Sequence, residues 1–288
     1  MGLVDQVNQI RVERPEWIRE RLLQRRRATR PSGDQKLMII ACDHPARGVL
    51  VAGRDETAMA DREELLGRCM EALGCPGVHG FLGTADMVED LTLLGALEGK
   101  LVYGSMNRGG LMGAKFEMDD RFTGYDAAAV KAAGLDGGKM LMRMNYADPA
   151  TADTIEACAK AVDGLADREL RAIVEPFVST WMAGRICNDL TPYAVMRSIA
   201  IASGLGRTSA YTWLKLPAIP EMERVMATTT LPALILGGEV KKDKDESLAL
   251  WQKALAIPTV RGLVIGRSLL FPPSGNVAAA VDEAVGLL

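Results

Sequence analysis

Histidine is nearly absent: the 288 residues contain two, His44 and His79. A catalytic zinc centre built on three histidines is therefore excluded, and any metal would have to rest mainly on carboxylates. Cysteine is sparse and unpatterned. Cys42, Cys69, Cys75, Cys158 and Cys187 are odd in number and form no C-x-x-C pair, which argues against a disulfide framework and for reduced thiols in a cytoplasm. Long apolar runs are missing too. Leu37–Cys42 is among the longest, far short of the roughly eighteen residues that a membrane span needs. With no charged-then-apolar leader at the start, the expectation is a cytoplasmic protein that does not engage membranes. Charge of one sign is not in excess either: 34 basic residues meet 37 acidic ones, a net charge of −3, which argues against a general nucleic-acid binder. What is present is core material, since 48% of the chain is hydrophobic and 25% charged, as in ordinary globular proteins.

The length fits two small domains or one large single-core fold such as an α/β barrel. Residues 1–34 stand apart, with eight arginines against five acids. Trp17, Ile18, Leu22 and Leu23 follow Pro15-Glu16 at helical spacing, predicting a basic amphipathic helix. This N-terminal helical extension either caps the fold, meets another subunit or forms an arm for an anionic surface. Pro31-Ser32-Gly33-Asp34 then punctuates the chain.

Residues 35–288 repeat one pattern eight times: a short apolar segment, a polar or glycine-rich stretch, then a helical period. The predicted strands are Leu37–Cys42, Val78–Leu82, Leu101–Ser105, Gly138–Met144, Ala172–Val178, Tyr211–Leu216, Ala233–Leu236 and Gly262–Ile265. Predicted helices between them include 61–73, 85–97, 125–133, 150–165, 192–203, 220–227 and 244–254, several preceded by Asp, Ser, Thr or Pro. Strands apolar on both faces, alternating with helices, predict a buried parallel sheet. The open, doubly wound alternative would carry G-x-G-x-x-G after its first strand, where this chain has Cys42-Asp43-His44-Pro45-Ala46-Arg47-Gly48. Asp43, Lys139, Glu175, Lys215, Gly237-Gly238 and Gly266-Arg267 lie in or just after six different strands, and a closed barrel gathers such positions around one mouth. The sequence therefore predicts a single (β/α)8 TIM barrel.

Lys215 sits within Tyr211-Thr212-Trp213-Leu214-Lys215-Leu216-Pro217, a strand where an unpaired ammonium is costly to bury. Burial beside another cation lowers a lysine's pKa and frees the neutral amine that attacks carbonyls; a depression of roughly three units costs about 4 kcal/mol. Lys139, Glu175 and Asp43 occupy comparable positions in three other strands. The four form either a structural ion network or an acid–base cluster around a Schiff-base lysine. In the second case Glu175 moves protons while Lys139 and Asp43 set the field and bind substrate oxygens. Gly237-Gly238 and Gly266-Arg267, after the last two strands, place bare backbone and a guanidinium where barrels commonly hold phosphate, although tight turns use glycine anyway. Arg108 and Arg143 either reach the substrate's distal end or are polar loop residues. His44 either contacts a substrate hydroxyl, orients Asp43 or is structural, and His79 reads as structural. Lys241–Glu246 reads as a solvated loop entering a helix, or a lid.

Together, Asp43-His44 with Gly48, Lys139, Glu175-Pro176, Lys215 in W-L-K-L-P, Gly237-Gly238 and Gly266-Arg267-Ser268 resemble the DhnA-type class I aldolases. That group includes fructose-bisphosphate, tagatose-bisphosphate and sulfofructose-phosphate aldolases and the aldolase domain of some inositol-pathway kinases. The resemblance spans about residues 35–275. It implies that Lys215 forms the Schiff base with a phosphorylated ketose or keto-acid sugar, with Glu175 as general acid/base, Lys139 and Asp43 in support, and the glycines with Arg267 on phosphate. The implied product is dihydroxyacetone phosphate plus an aldehyde, with no metal or cofactor, in a homo-oligomer; 6-phospho-5-dehydro-2-deoxygluconate of inositol catabolism is the preferred substrate. Pro45-Ala46-Arg47 before Gly48 departs from the commoner first motif, Asp-His-Gly. Two other readings remain: a Schiff-base transferase resembling the group's thiolase-like member, and a non-catalytic phosphosugar-binding barrel.

Overall fold

Strand β1 (Leu37–Cys42) lies between β2 (Gly80–Gly83) and β9 (Val260–Ile265), all parallel, and this pairing closes the sheet on itself. The computed structural model describes residues 1–29, 31–238 and 244–288. Around the barrel β2 is followed by β3 (Leu101–Ser105), β4 (Gly137–Met144), β5 (Arg171–Met182), β7 (Thr212–Pro217), β8 (Ala233–Leu236) and β9. The result is a closed eight-stranded parallel (β/α)8 barrel with helices between the strands.

Alternation along the strands sorts the core into two layers. Leu37, Ile39 and Ala41 of β1 face the barrel interior with Leu82, Tyr103, Ile173, Leu234 and Val264, whereas Met38, Ile40 and Cys42 face the surrounding helices. The helices start where the sequence supplies caps. Asp61 accepts the Glu64 N–H at 3.0 Å to open α3 (Arg62–Gly74), and Asp126 accepts that of Ala129 at 2.6 Å to open α5 (Ala127–Ala132). Thr191 and Pro192 open α7 (Pro192–Ser203) in the same way. Further helices are α4 (Ala85–Leu93), α6 (Ala150–Ala166), α8 (Met222–Met226), α9 (Lys244–Leu255), α10 (Arg267–Leu270) and α11 (Val277–Val285).

Two features differ from the sequence expectation. The N-terminal extension contains two helices, α1 (Leu3–Glu13) and α2 (Glu16–Gln24), because Arg14-Pro15 interrupts what would otherwise continue. Both lie on the barrel: Glu63 of α3 accepts the Leu3 and Val4 N–H groups at 2.7 and 2.8 Å, Arg11 pairs with Asp90 of α4 at 2.8 Å, and α2 packs on α4. The second is a ninth strand, β6 (Arg185–Asn188), which folds back antiparallel on the end of β5 and projects beyond the barrel. The turn between them is Ala183-Gly184 with φ of +50° and +76°, the left-handed pair of a tight hairpin built with Ala where Asn or Asp is usual.

Residues 239–243, which hold the first half of the expected loop or lid, fall outside the described residues; Lys244 begins α9. No helix among the described residues is long and apolar enough to cross a membrane.

Candidate active site

Strand alternation carries ionisable side chains into the barrel at its C-terminal mouth. Above the apolar layer of Ile39, Tyr103 and Ile173, the next inward positions are Asp43 after β1, Ser105 on β3, Lys139 on β4, Glu175 on β5 and Lys215 on β7. All five are buried. They line or support one cavity of about 290 Å³, whose wall includes Asp43, His44, Arg108, Lys139, Glu175, Lys215, Gly237, Gly238, Gly266 and Arg267. Every candidate position read from the sequence therefore reaches the same space. A larger groove of about 570 Å³ lies outside the barrel along α5 and α6 and touches none of them.

Glu175 is the centre of the ion network. Its Oε1 meets Lys215 Nζ at 3.0 Å, and its Oε2 is in close contact with Lys139 Nζ. Lys139 Nζ also lies 3.4 Å from Asp43 Oδ2. Asp43 in turn accepts the Ser105 hydroxyl at 2.9 Å and pairs with Arg108, whose Nε donates to Ser105 Oγ at 2.9 Å. Each buried charge thus has a partner of opposite sign, as burial demands.

Burial pushes the Glu175 carboxyl upward, but the ammoniums of Lys139 and Lys215 outweigh it and hold its pKa below the usual carboxylate range. Burial lowers Lys215; Glu175 opposes this and the guanidiniums of Arg108 and Arg267 reinforce it, leaving the net shift downward. Lys139 is driven well below an ordinary lysine by burial and then by Arg108. Burial brings Arg108 to about 10, so it remains a cation at neutral pH. His44 is held neutral by burial and by the cations Arg267, Lys215 and Lys139. Its Nδ1 is buried without a hydrogen bond, 3.8 Å from Asp43 Oδ1.

Lys215 and the two glycine loops are neighbours by register. Lys215 aligns with Leu234 of β8, three residues before Gly237, and β8 pairs with β9, which is followed by Gly266-Arg267. Gly238 has φ of +69°, and a Cβ on Gly266 would stand 2.3 Å from the Ala41 carbonyl. Both glycines are thus required by the backbone itself. Ser268 Oγ, beside Gly237, is buried without a hydrogen-bond partner.

The opposite side of the mouth was only partly legible. In an eight-stranded ring β4 faces β9, and Arg143 on β4 is buried, gripped by Asp120 through Nε at 2.9 Å and Nη2 at 2.6 Å. Arg143 is therefore a strand residue anchoring the β3–α5 loop, not a loop residue. Its Nη1 lies 3.5 Å from Glu117, which Arg47 Nη2 approaches at 3.7 Å. Asn107 pins the same loop, accepting the Leu141 N–H at 2.7 Å and donating to the Asp120 carbonyl at 3.0 Å. Sequence reading missed Ser105, Asn107, Asp120, Glu117 and Arg47; the alternating polar residues Ser105, Asn107 at the end of an apolar strand were the available signal. Arg108 is buried, lines the cavity and pairs with Asp43. His79 is structural, accepting the Met38 N–H through Nδ1 at 3.1 Å.

Six cations and three carboxylates face the cavity, which suits an anionic ligand. No group of three or more histidine, cysteine or carboxylate side chains is placed to hold a metal among the described residues.

The structure of Cgl0159 from Corynebacterium glutamicum (Brevibacterium flavum) is 51% identical, with a TM-score of 0.96 over 99% of this chain and 96% of that one. An archaeal fructose 1,6-bisphosphate aldolase superimposes with a TM-score of 0.67 at 15% identity, over 94% of this chain and 98% of that one. An archaeal fructose-1,6-bisphosphate aldolase with its catalytic lysine covalently bound to the carbinolamine intermediate gives 0.65 at 16% identity, over 94% and 97%. These two likenesses are of fold. A search of curated proteins gave no match. The Cgl0159-like family model matches residues 35–285, the whole barrel; with the 51% identity to Cgl0159, the chain belongs to the Cgl0159-like family and has the barrel fold of class I aldolases.

Proposed function

We propose that the protein is a class I aldolase that cleaves a phosphorylated ketose or keto-acid sugar through a Schiff base on Lys215, releasing dihydroxyacetone phosphate and an aldehyde. The observation that carries this reading is a buried Lys215 with lowered pKa, in contact with an ionised Glu175, one and two strands away from the glycine loops. In a ketose phosphate the carbonyl is separated from the phosphate by a single carbon, so the amine that attacks it must stand close to the phosphate site. Lys215 does so, whereas Lys139 is on the far side of Glu175 between two carboxylates.

The neutral Lys215 amine adds to the carbonyl, and loss of water gives the iminium ion. Glu175, a carboxylate at rest, accepts the proton of the β-hydroxyl as the carbon–carbon bond breaks. The bonding pair moves into the iminium to give an enamine, and the aldehyde departs. Return of a proton to the enamine carbon and hydrolysis of the imine restore Lys215 and release the ketone. Lys139 holds Glu175 in place and stabilises its charge, and Asp43, paired with Arg108 and Lys139, receives a substrate hydroxyl beside His44. Gly237, Gly238, Gly266 and Arg267 bind the phosphate. Arg47 and Arg143 meet the other end of the substrate, which favours an acid such as 6-phospho-5-dehydro-2-deoxygluconate, in inositol catabolism.

A coupled assay for dihydroxyacetone phosphate over a panel of ketose phosphates and phosphorylated keto acids tests this function. Cleavage of one of them by the wild type, abolished in Lys215→Met, is expected. Binding without cleavage throughout the panel would leave a phosphosugar-binding barrel, and turnover only with an acceptor thiol such as coenzyme A would indicate a transferase.

A further inference from the structure

The end of the cavity away from the glycine loops has its charges already matched. Two guanidiniums, Arg47 and Arg143, line it beside one carboxylate, Glu117, and the buried Asp120 grips Arg143. Among the described residues the formal charges at this end cancel, two cations against two carboxylates. Most of the donors are committed as well. Arg143 gives Nε and Nη2 to Asp120 and Nη2 also to the Glu117 carbonyl, and Arg47 gives Nε to the Gly110 carbonyl at 2.9 Å. Arg143 Nη1 and Arg47 Nη2 then stand 3.5 and 3.7 Å from one oxygen, Glu117 Oε1.

Glu117 is fixed in this position. Its Oε2 accepts the Gly113 N–H at 2.8 Å, which leaves Oε1 to the two guanidiniums. The neighbouring wall is apolar: Arg143 pairs in register with Phe177, and Val49, Met112 and Ile186 line the cavity with it. Charge is felt strongly in such surroundings, and an unmatched charge is costly. A phosphate dianion arriving here would bring two negative charges to a group that is already neutral and presents a carboxylate of its own. A carboxylate brings one, spread over a flat pair of acceptors that two guanidiniums can bridge, and an uncharged end brings none. Cations gather instead around Asp43 and Glu175, where Arg108, Lys139 and Lys215 meet.

We infer that Glu117 is a specificity-determining residue that makes this end of the cavity reject a second phosphate. The ligand is then a sugar carrying one phosphate, with a far end that is uncharged or a lone carboxylate. The inference rests on the function proposed above in one respect, that the glycine loops hold the first phosphate. Selection of this kind works by repulsion, through a like charge placed where the wrong ligand would put its own.

Hexitol phosphates test this on the full chain, because they have the length of an open-chain hexose phosphate and no carbonyl with which to form an imine. Calorimetric titration with mannitol 1-phosphate and with mannitol 1,6-bisphosphate gives the ratio of the two dissociation constants. In the wild type the monophosphate should bind about tenfold tighter or more. Glu117→Gln keeps the size of the side chain and an acceptor for the Gly113 N–H, and should narrow that ratio by about tenfold. Glu117→Asp keeps the charge and should hold the wild-type preference. A wild type that binds the bisphosphate as tightly as the monophosphate overturns the inference, and that comparison needs no variant. So does an unchanged ratio in Glu117→Gln, or an equal narrowing in Glu117→Asp, which would make Glu117 an anchor of the β3–α5 loop. Failure of either compound to bind overturns the inference together with the phosphate site. Binding in the expected ratio by a protein that cleaves no member of the ketose panel would remove the aldolase reading alone and leave the role of Glu117 standing.

Discussion

Lys215 Nζ lies 3.0 Å from Glu175 Oε1, and burial still leaves the lysine's pKa below its ordinary value of 10.5. Glu175 shares its charge with Lys139, so Lys215 receives half of a partner. Desolvation of Lys215 outweighs that pairing. Lys215→Met should therefore abolish cleavage while leaving folding stability unchanged or raised by about 1–2 kcal/mol, because the methionine fills the same space and Glu175 keeps Lys139. Urea unfolding beside the cleavage assay checks both halves; a loss of stability would show that the pair is a structural strut.

Glu175→Gln should behave in the opposite way. It removes the anion shared by two buried ammoniums, at a cost of about 3 kcal/mol, and removes the proton acceptor, lowering kcat by about 10²–10⁴. The pH dependence has a definite sign. Glu175 titrates below its ordinary 4.5 in the folded state, so its contribution to stability is complete above 4.5 and is lost as pH falls through the folded value. Lys215 and Lys139 are depressed from 10.5, so the unfolded chain binds more protons between the folded values and 10.5, and stability rises with pH across that window. Denaturation midpoints from pH 3 to 10 should show both limbs, and the acid limb should flatten in Glu175→Gln.

Asp120→Asn should loosen the distal wall. Asp120 is buried and takes the Nε–Nη2 edge of the Arg143 guanidinium with both carboxylate oxygens, so the amide breaks a bidentate pair and costs about 3 kcal/mol. With Arg143 and the β3–α5 loop released, KM should rise about tenfold and kcat should fall less. Steady-state kinetics at saturating and subsaturating substrate separate the two.

Arg267→Ala should raise KM for phosphorylated substrates by about 10–100-fold, the worth of a charge-assisted contact, and leave binding of an unphosphorylated ketose unchanged. Equal weakening of both would place Arg267 outside a phosphate site.

The site was legible where its chemistry contradicts its setting. Lys139, Glu175 and Lys215 interrupt apolar strands, and the two-residue period of a strand turns all three inward once the barrel closes. Asp120 and Glu117 gave no such signal, because they sit in a polar loop where acids are ordinary, and only the buried Arg143 gives them a task. The β6 hairpin went unread for a local reason: its turn is Ala183-Gly184, without the Asn or Asp that usually marks left-handed positions. Ala183→Asn should accordingly stabilise the hairpin by about 0.5–1 kcal/mol, measurable as slower exchange of amides in β6. The break between α1 and α2 lay at Pro15, where the sequence reading placed a helix start without a helix before it.

The most direct test of the central claim is borohydride reduction of the protein in the presence of dihydroxyacetone phosphate, followed by peptide mass spectrometry. The account predicts one stable adduct per chain, on Lys215, absent from Lys215→Met and retained in Arg267→Ala at higher ligand concentration. An adduct on Lys139, or none at saturating ligand, would contradict it.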